Sequence, residues 1–186
     1  MPLVTLIGYR GTGKSTVAVE LARALDCERY DADDELEAAV GMPIGRLVKE
    51  RGEAAFRDEE ERVLGRLLRR RGGVLATGGG VVLREGNREA LRSRGGLVAW
   101  LTAPADVIRR RLAADPATAT RRPGLTGADP LAEVDAALAM REPLYRECAA
   151  CTFDTASLTP AGIAAAIRAR LDAEGAFPAG SGGRHP

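Results

Sequence analysis

Apolar and polar positions along the chain follow two different periods. Residues 3–7, Leu-Val-Thr-Leu-Ile, form a short β-favouring apolar run that stops at a glycine-rich turn. Directly after the turn, Val17, Leu21, Ala24 and Leu25 recur at helical spacing and predict a helix over 16–25. Weaker apolar runs predict strands at 27–31, 74–77, 97–101 and 151–154. Between them, helical patterns cover 33–40, 44–71 with a break near Gly52, 86–94, 104–114, 130–148 and 160–173. Strands that alternate with helices are joined by βαβ crossovers. The pattern therefore predicts an α/β fold, a parallel sheet with helices on both faces.

The stops between elements are legible in places. Arg69, Arg70 and Arg71 stand before Gly72 and Gly73, where cations offset the negative end of a helix dipole and glycine can take a left-handed cap. Thr159 followed by Pro160 reads as an N-cap and a first helical residue. From residue 175 the chain turns to Gly, Pro, Ala and Ser. A single domain over 1–174 with a disordered tail over 175–186 is the organisation expected.

Composition narrows the function classes. Hydrophobic residues make up 45% of the 186 and charged residues 28%, with a formal net charge of +1. That balance gives no reason to expect a nucleic-acid partner. No apolar run approaches bilayer length, and no charged leader precedes the first motif, so a cytoplasmic protein is expected with no membrane partner. The only histidine is His185, which removes histidine-based hydrolytic chemistry. Cys148 and Cys151 have the spacing of half a zinc or redox site, but neither a second pair nor a helix-opening context accompanies them, so they read as incidental small residues.

The glycine-rich turn carries the strongest chemical signal. Gly8-Tyr-Arg-Gly11-Thr12-Gly13-Lys14-Ser15 fits G-x-x-x-x-G-K-[ST] and lies between a strand and a helix. Its glycines let backbone N–H groups close around phosphates, and the helix start adds a positive dipole end. Lys14 is placed to reach β- and γ-phosphate oxygens, and the Ser15 hydroxyl to ligate Mg²⁺. The chain lacks the N-K-x-D motif of guanine-reading GTPases, and its length favours a small-molecule kinase.

Candidate acceptor-site residues follow. Asp31 and Asp33 sit at the predicted end of the second strand, where open α/β sheets place ligands. One is suited to help hold Mg²⁺ and the other to accept a hydroxyl proton, while Asp34 and Glu35 read as helix capping. Arg57 and Glu60 lie one helical turn apart, so the carboxylate can orient a guanidinium that would grip a substrate carboxylate. Gly78, Gly79 and Gly80 follow the third strand and permit close approach by a ligand. Arg121 and Arg122 lie in a stretch broken by Pro116, Pro123, Gly124, Gly127 and Pro130, which reads as a lid over about 112–128. Arg141 opens the run Arg141-Glu-Pro-Leu-Tyr145.

Taken together, residues 8–16, Asp31 with Asp33, Phe56-Arg57, the three glycines, Arg122-Pro123 and Arg141-Glu-Pro-Leu-Tyr145 resemble shikimate kinases in order and spacing, over the chain to about Leu171. The resemblance implies a three-layer P-loop kinase fold, NMP-kinase-like, with a five-stranded parallel sheet, and a monomer. It implies transfer of phosphate from ATP, the co-substrate, to the 3-hydroxyl of shikimate, with Mg²⁺ as cofactor, in aromatic amino acid biosynthesis. Asp33 would then bind the substrate hydroxyls and act as base. Arg57 and Arg141 would grip the carboxylate beside Gly78, Gly79 and Gly80. Ser15 and Asp31 would serve Mg²⁺. Gly11, Thr12, Gly13, Lys14, Ser15 and Thr16 would hold the phosphates, with Arg122 as lid arginine. Arg110 and Pro160 would frame the adenine.

Overall fold

The computed structural model describes residues 1, 3–114 and 134–175. Five strands form one sheet: β1 (Val4–Ile7), β2 (Arg29–Asp31), β3 (Val74–Ala76), β4 (Leu97–Thr102) and β5 (Cys151–Asp154). All pairings are parallel, in the order β2-β3-β1-β4-β5. The described helices are α1 (Lys14–Ala24), α2 (Ala32–Val40), α3 (Ile44–Leu67), α4 (Glu85–Arg94), α5 (Ala105–Ala114), α6 (Val134–Cys148) and α7 (Pro160–Ala173). This is the three-layer parallel architecture that the alternating pattern implied.

Strand periodicity explains how two cores share one sheet. Val4 and Leu6 of β1, Val74 and Ala76 of β3, and Leu97, Ala99 and Leu101 of β4 pack with α1 and α7 on one face. Ile7, Leu75, Val98 and Trp100 point to the other face, against α3, α4 and α6. Because successive side chains alternate, both faces of the three central strands are apolar, as buried parallel strands require. Thr5 is the polar exception, and its hydroxyl donates to the Gly95 carbonyl at 2.6 Å.

Boundaries differ from the sequence expectation in small, physical ways. α3 is kinked at Gly52 (φ 85°, ψ 166°), where the break was expected, but it ends at Leu67 rather than near 71. Gly72 and Gly73 take positive φ, so they turn the chain into β3 instead of capping the helix directly. At Gly73 a Cβ would lie 2.7 Å from the Tyr30 ring and 2.8 Å from the Glu28 carbonyl, so only glycine fits that turn. Thr159 does cap α7, accepting from the Gly162 amide at 3.1 Å, with Pro160 in the first turn. Of the helix expected over 130–148, residues 134–148 are helical, and 130–133 lie outside the described residues. Outside them also are most of the expected lid, with Arg122 and Pro123, and the expected tail beyond Gly175.

Sheet order then fixes the site. The chain leaves β1 towards β2 and β3 on one side, and passes to β4 and β5 on the other. The carboxyl ends of β1, β2 and β3 therefore open into one crevice at the switch point.

Candidate active site

The loop after β1 is the first wall of the crevice. Gly8, Gly11 and Gly13 have φ of 140°, 79° and 83°. At Gly8 a Cβ would fall 2.2 Å from the Leu101 carbonyl, so the loop hugs β4. Gly13 caps α1 in a left-handed conformation that aims the first-turn amides into the crevice. Thr12 is buried and donates its hydroxyl to the Tyr9 carbonyl at 2.7 Å, which fixes the bend. The Lys14 ammonium lies over the same loop, 2.8 Å from the Gly8 carbonyl and 2.9 Å from that of Tyr9. Thr16, two residues further along α1, is exposed.

The second wall comes from β2 and α2. Asp31 ends the strand and caps α2, accepting from the Asp33 amide at 3.1 Å. Its other carboxylate oxygen accepts from the Ser15 hydroxyl at 3.0 Å. Burial, with Asp33 and Asp34 close by, pushes the Asp31 carboxyl above its usual range. Two hard oxygen donors in a locally electronegative setting suit a small divalent cation such as Mg²⁺, which would relieve that cost. The strand ends at Asp31, so Asp33 stands in the first turn of α2, within the helix expected over 33–40. Glu35, in the first turn of α2, pairs with Arg66 of α3 and with Arg70 just beyond its end, a structural contact.

The third wall is the glycine turn after β3 with two buried arginines. At Gly79 a Cβ would lie 2.9 Å from the Arg10 amide nitrogen, so the turn rests on the phosphate loop. At Gly80 a Cβ would lie 2.2 Å from Arg57 Nη1, so the guanidinium covers that residue. Arg57 is held by Glu60 at 2.6 Å and Glu53 at 3.1 Å, and both it and Glu60 are buried. Arg141 approaches from α6 and donates from Nη1 to the Gly79 carbonyl at 3.3 Å, while its Cζ sits 5.3 Å from the Tyr9 ring centroid. Arg141 is only 6% exposed, forms no ion pair among the described residues, and its Nε has no hydrogen-bond partner. A buried cation without a counter-ion is costly, and the crevice is where an anion can reach it.

Arg110, expected beside the adenine, is exposed and pairs with Asp106 on its own helix at 3.3 Å. Its neighbour Arg111 donates to the Gly11 carbonyl (3.2 Å), the Thr155 hydroxyl (2.8 Å) and the Thr155 carbonyl (2.7 Å). Arg109, Arg110 and Arg111 are consecutive and point about 100° apart around a helix, so only the phase of α5 selects among them. Arg111 thereby joins the phosphate loop to the β5–α7 loop that ends at Pro160. Glu53 and Thr155 carried no sequence signal of their own. Tyr145 did carry one, since it lies four residues after Arg141 and so on the same helical face.

The cysteines stay apart from this chemistry. Cys148 ends α6 and Cys151 begins β5, and both are free thiols. Burial pushes Cys148 up to about 11 and raises Cys151 as well, so both remain protonated and unreactive near neutrality.

Comparison with known proteins agrees with this geometry. A family model described as shikimate kinase matches residues 10–172. The chain is 45% identical over 150 residues to a shikimate kinase from Rhodopirellula baltica, covering 81% of this chain and 80% of that one. It is 41% identical over 170 residues to a shikimate kinase from Bordetella avium, covering 91% and 79%. A solved shikimate kinase from Acinetobacter baumannii in complex with shikimate superposes with a TM-score of 0.83 at 34% identity, covering 92% of this chain and 93% of the other.

Proposed function

The chain belongs to the shikimate kinase family, and on that premise we propose that it moves the γ-phosphate of ATP to the 3-hydroxyl of shikimate, with the acceptor's carboxylate held between Arg57, Arg141 and the glycine turn. As in the family, ATP is the co-substrate. The observation that carries the reading is Arg141, a buried guanidinium with no carboxylate partner among the described residues, set beside Arg57 over a turn of three glycines. An acceptor with a carboxylate supplies the missing charge; gluconate, also a carboxylate, remains the alternative to test, whereas a nucleoside monophosphate offers a larger dianion.

The residue roles belong to the same proposal. The amides of Gly11, Thr12, Gly13, Lys14, Ser15 and Thr16 surround the phosphate chain, and the Lys14 ammonium meets the β- and γ-oxygens. Arg110 stands with Pro160 at the adenine end, beside Arg111, which ties the phosphate loop to Thr155. Asp33 orients the acceptor hydroxyl and takes its proton as the oxygen bonds to the γ-phosphorus. The bond from that phosphorus to the β-bridging oxygen breaks, and ADP leaves with the electron pair. Because the transition state is loose, positioning and charge stabilisation carry most of the rate, and a base adds about 10²–10⁴-fold. Arg122 completes the charge stabilisation as the lid arginine, a role that rests on the sequence. Ser15 and Asp31 would hold Mg²⁺, which neutralises charge on the β- and γ-phosphate oxygens when bound. A cytoplasmic, monomeric state belongs to the same reading.

Product analysis tests the reading directly. With ATP, Mg²⁺ and shikimate, ³¹P NMR should show one new phosphomonoester, coupled to the ring proton at carbon 3. Phosphate on another hydroxyl would contradict the placement of Asp33.

A further inference from the structure

The glycine turn is held in place by one carbonyl. Gly79 O accepts from the Tyr145 hydroxyl at 2.5 Å and from Arg141 Nη1 at 3.3 Å, across 66 and 62 residues of sequence. Both donors come from the same face of α6, and a carbonyl oxygen has two lone pairs, so this acceptor is saturated. A peptide carbonyl bonded on both lone pairs cannot rotate about its flanking torsions without breaking a buried hydrogen bond. In a trans peptide the next N–H points opposite the carbonyl, and the chain has no cis peptide among the described residues. Fixing Gly79 O towards α6 therefore aims the Gly80 N–H away from α6, on the residue that the Arg57 guanidinium covers. Neither Gly79 nor Gly80 donates its amide to any acceptor among the described residues, although both are buried. Buried amides of that kind need a partner.

We propose that Tyr145 is a positioning residue for the acceptor carboxylate, holding the Gly79–Gly80 peptide so that its N–H faces the Arg57 side of the anion site. The claim rests on the reading of that site as the carboxylate clamp. Tyr145 is suited to the task because it is a rigid neutral donor. It is fully buried, its ring stacks on Trp100 with centroids 5.8 Å apart, and burial pushes its phenol well above the usual value, so the proton stays on the oxygen. Arg141 alone is a poorer anchor, since its bond to Gly79 O is long and its guanidinium must also meet the ligand. Tyr145 separates the two duties: it holds the turn, which leaves Arg141 for the anion.

Tyr145→Phe removes one oxygen and keeps the ring and its packing, so the variant should fold. The test compares kcat/KM for shikimate with that for its methyl ester, at saturating ATP, in wild type and variant. The single tryptophan, Trp100, lies against the substituted ring and gives a second readout by fluorescence titration of shikimate. A lost neutral hydrogen bond corresponds to about a two- to tenfold change. The acid should lose that factor in kcat/KM through KM, while the ester and the KM for ATP stay unchanged. Equal losses for acid and ester, or no loss for either beside a lowered melting temperature, would mean that the hydroxyl only packs the core, and the proposal fails. A wild type that treats acid and ester alike would instead refute the carboxylate clamp, and the role of Tyr145 with it.

Discussion

Arg57 and Arg141 should answer the same substitution with similar kinetics and opposite stability. Both are buried, at 8% and 6% exposure, and both flank the glycine turn. Replacing either by Leu removes a charge-assisted bond to the substrate carboxylate, about 1.5–3 kcal/mol, so the KM for shikimate should rise about ten- to a hundredfold. The stabilities diverge because the partners differ. Arg57→Leu removes the ion pair with Glu60, a carboxylate only 5% exposed that lay 2.6 Å from the guanidinium. Breaking such a pair costs about 3–5 kcal/mol. For a domain of this size each kcal/mol lowers Tm by about 2–4 °C, so a fall of about 6–20 °C follows. Arg141→Leu strands no carboxylate among the described residues. It loses the 3.3 Å bond to Gly79 O and the contact with the Tyr9 ring, roughly 1 kcal/mol each. Against that it removes a buried cation with no ion pair among the described residues, whose desolvation costs several kcal/mol. Its Tm should hold within a few degrees or rise. Thermal unfolding without ligand, with initial rates for both variants, makes the comparison. Equal destabilisation by the two substitutions, or an unchanged KM in either, would refute the view that Arg141 waits for an external anion.

Asp33→Asn should lower kcat by about 10²–10⁴-fold while the Kd for ATP, by titration calorimetry, stays within a few-fold. Lys14→Ala should weaken ATP binding as well as turnover, because its charge meets phosphate oxygens in both ground and transition states. Asp31→Asn keeps a capping side chain but removes the carboxylate crowded by Asp33 and Asp34. Its Tm in metal-free buffer should match or exceed that of wild type, and the rise in Tm on adding Mg²⁺ with ADP should shrink; an undiminished rise would remove Asp31 from the metal site. A chain ending at Gly175 should keep the Tm and kcat of the full chain, since Leu171 of α7, at 2% exposure, is the last buried residue described.

Much of this architecture is legible in the residues alone, for reasons that are local. The phosphate loop is fixed by glycines whose positive φ few other residues adopt, and by its place between a strand and a helix. β5 runs over the expected residues, and the other strands agree to within one or two, because apolar runs bounded by breakers leave little choice. The change from β2 to α2 happens within one residue, at Asp31, which agrees with the strand expected to 31 and the helix expected from 33. What escaped depends on phase and distance. Three consecutive arginines in α5 differ only in the direction they point, and only the packing of α5 shows that Arg111 is the one bonded to the phosphate loop. The hold of Tyr145 on Gly79 spans 66 residues, and no local pattern announces it. That Arg141 has no ion pair among the described residues is likewise a property of three dimensions.

The central claim is that this crevice phosphorylates shikimate. The most direct measurement is ADP release, coupled to a spectrophotometric readout, with ATP and Mg²⁺ and with shikimate, gluconate or a nucleoside monophosphate as acceptor. Release that depends on shikimate, saturates with it, and stays at background with the other two is the result expected. Background release with shikimate, or faster release with gluconate or a nucleotide, would contradict the claim.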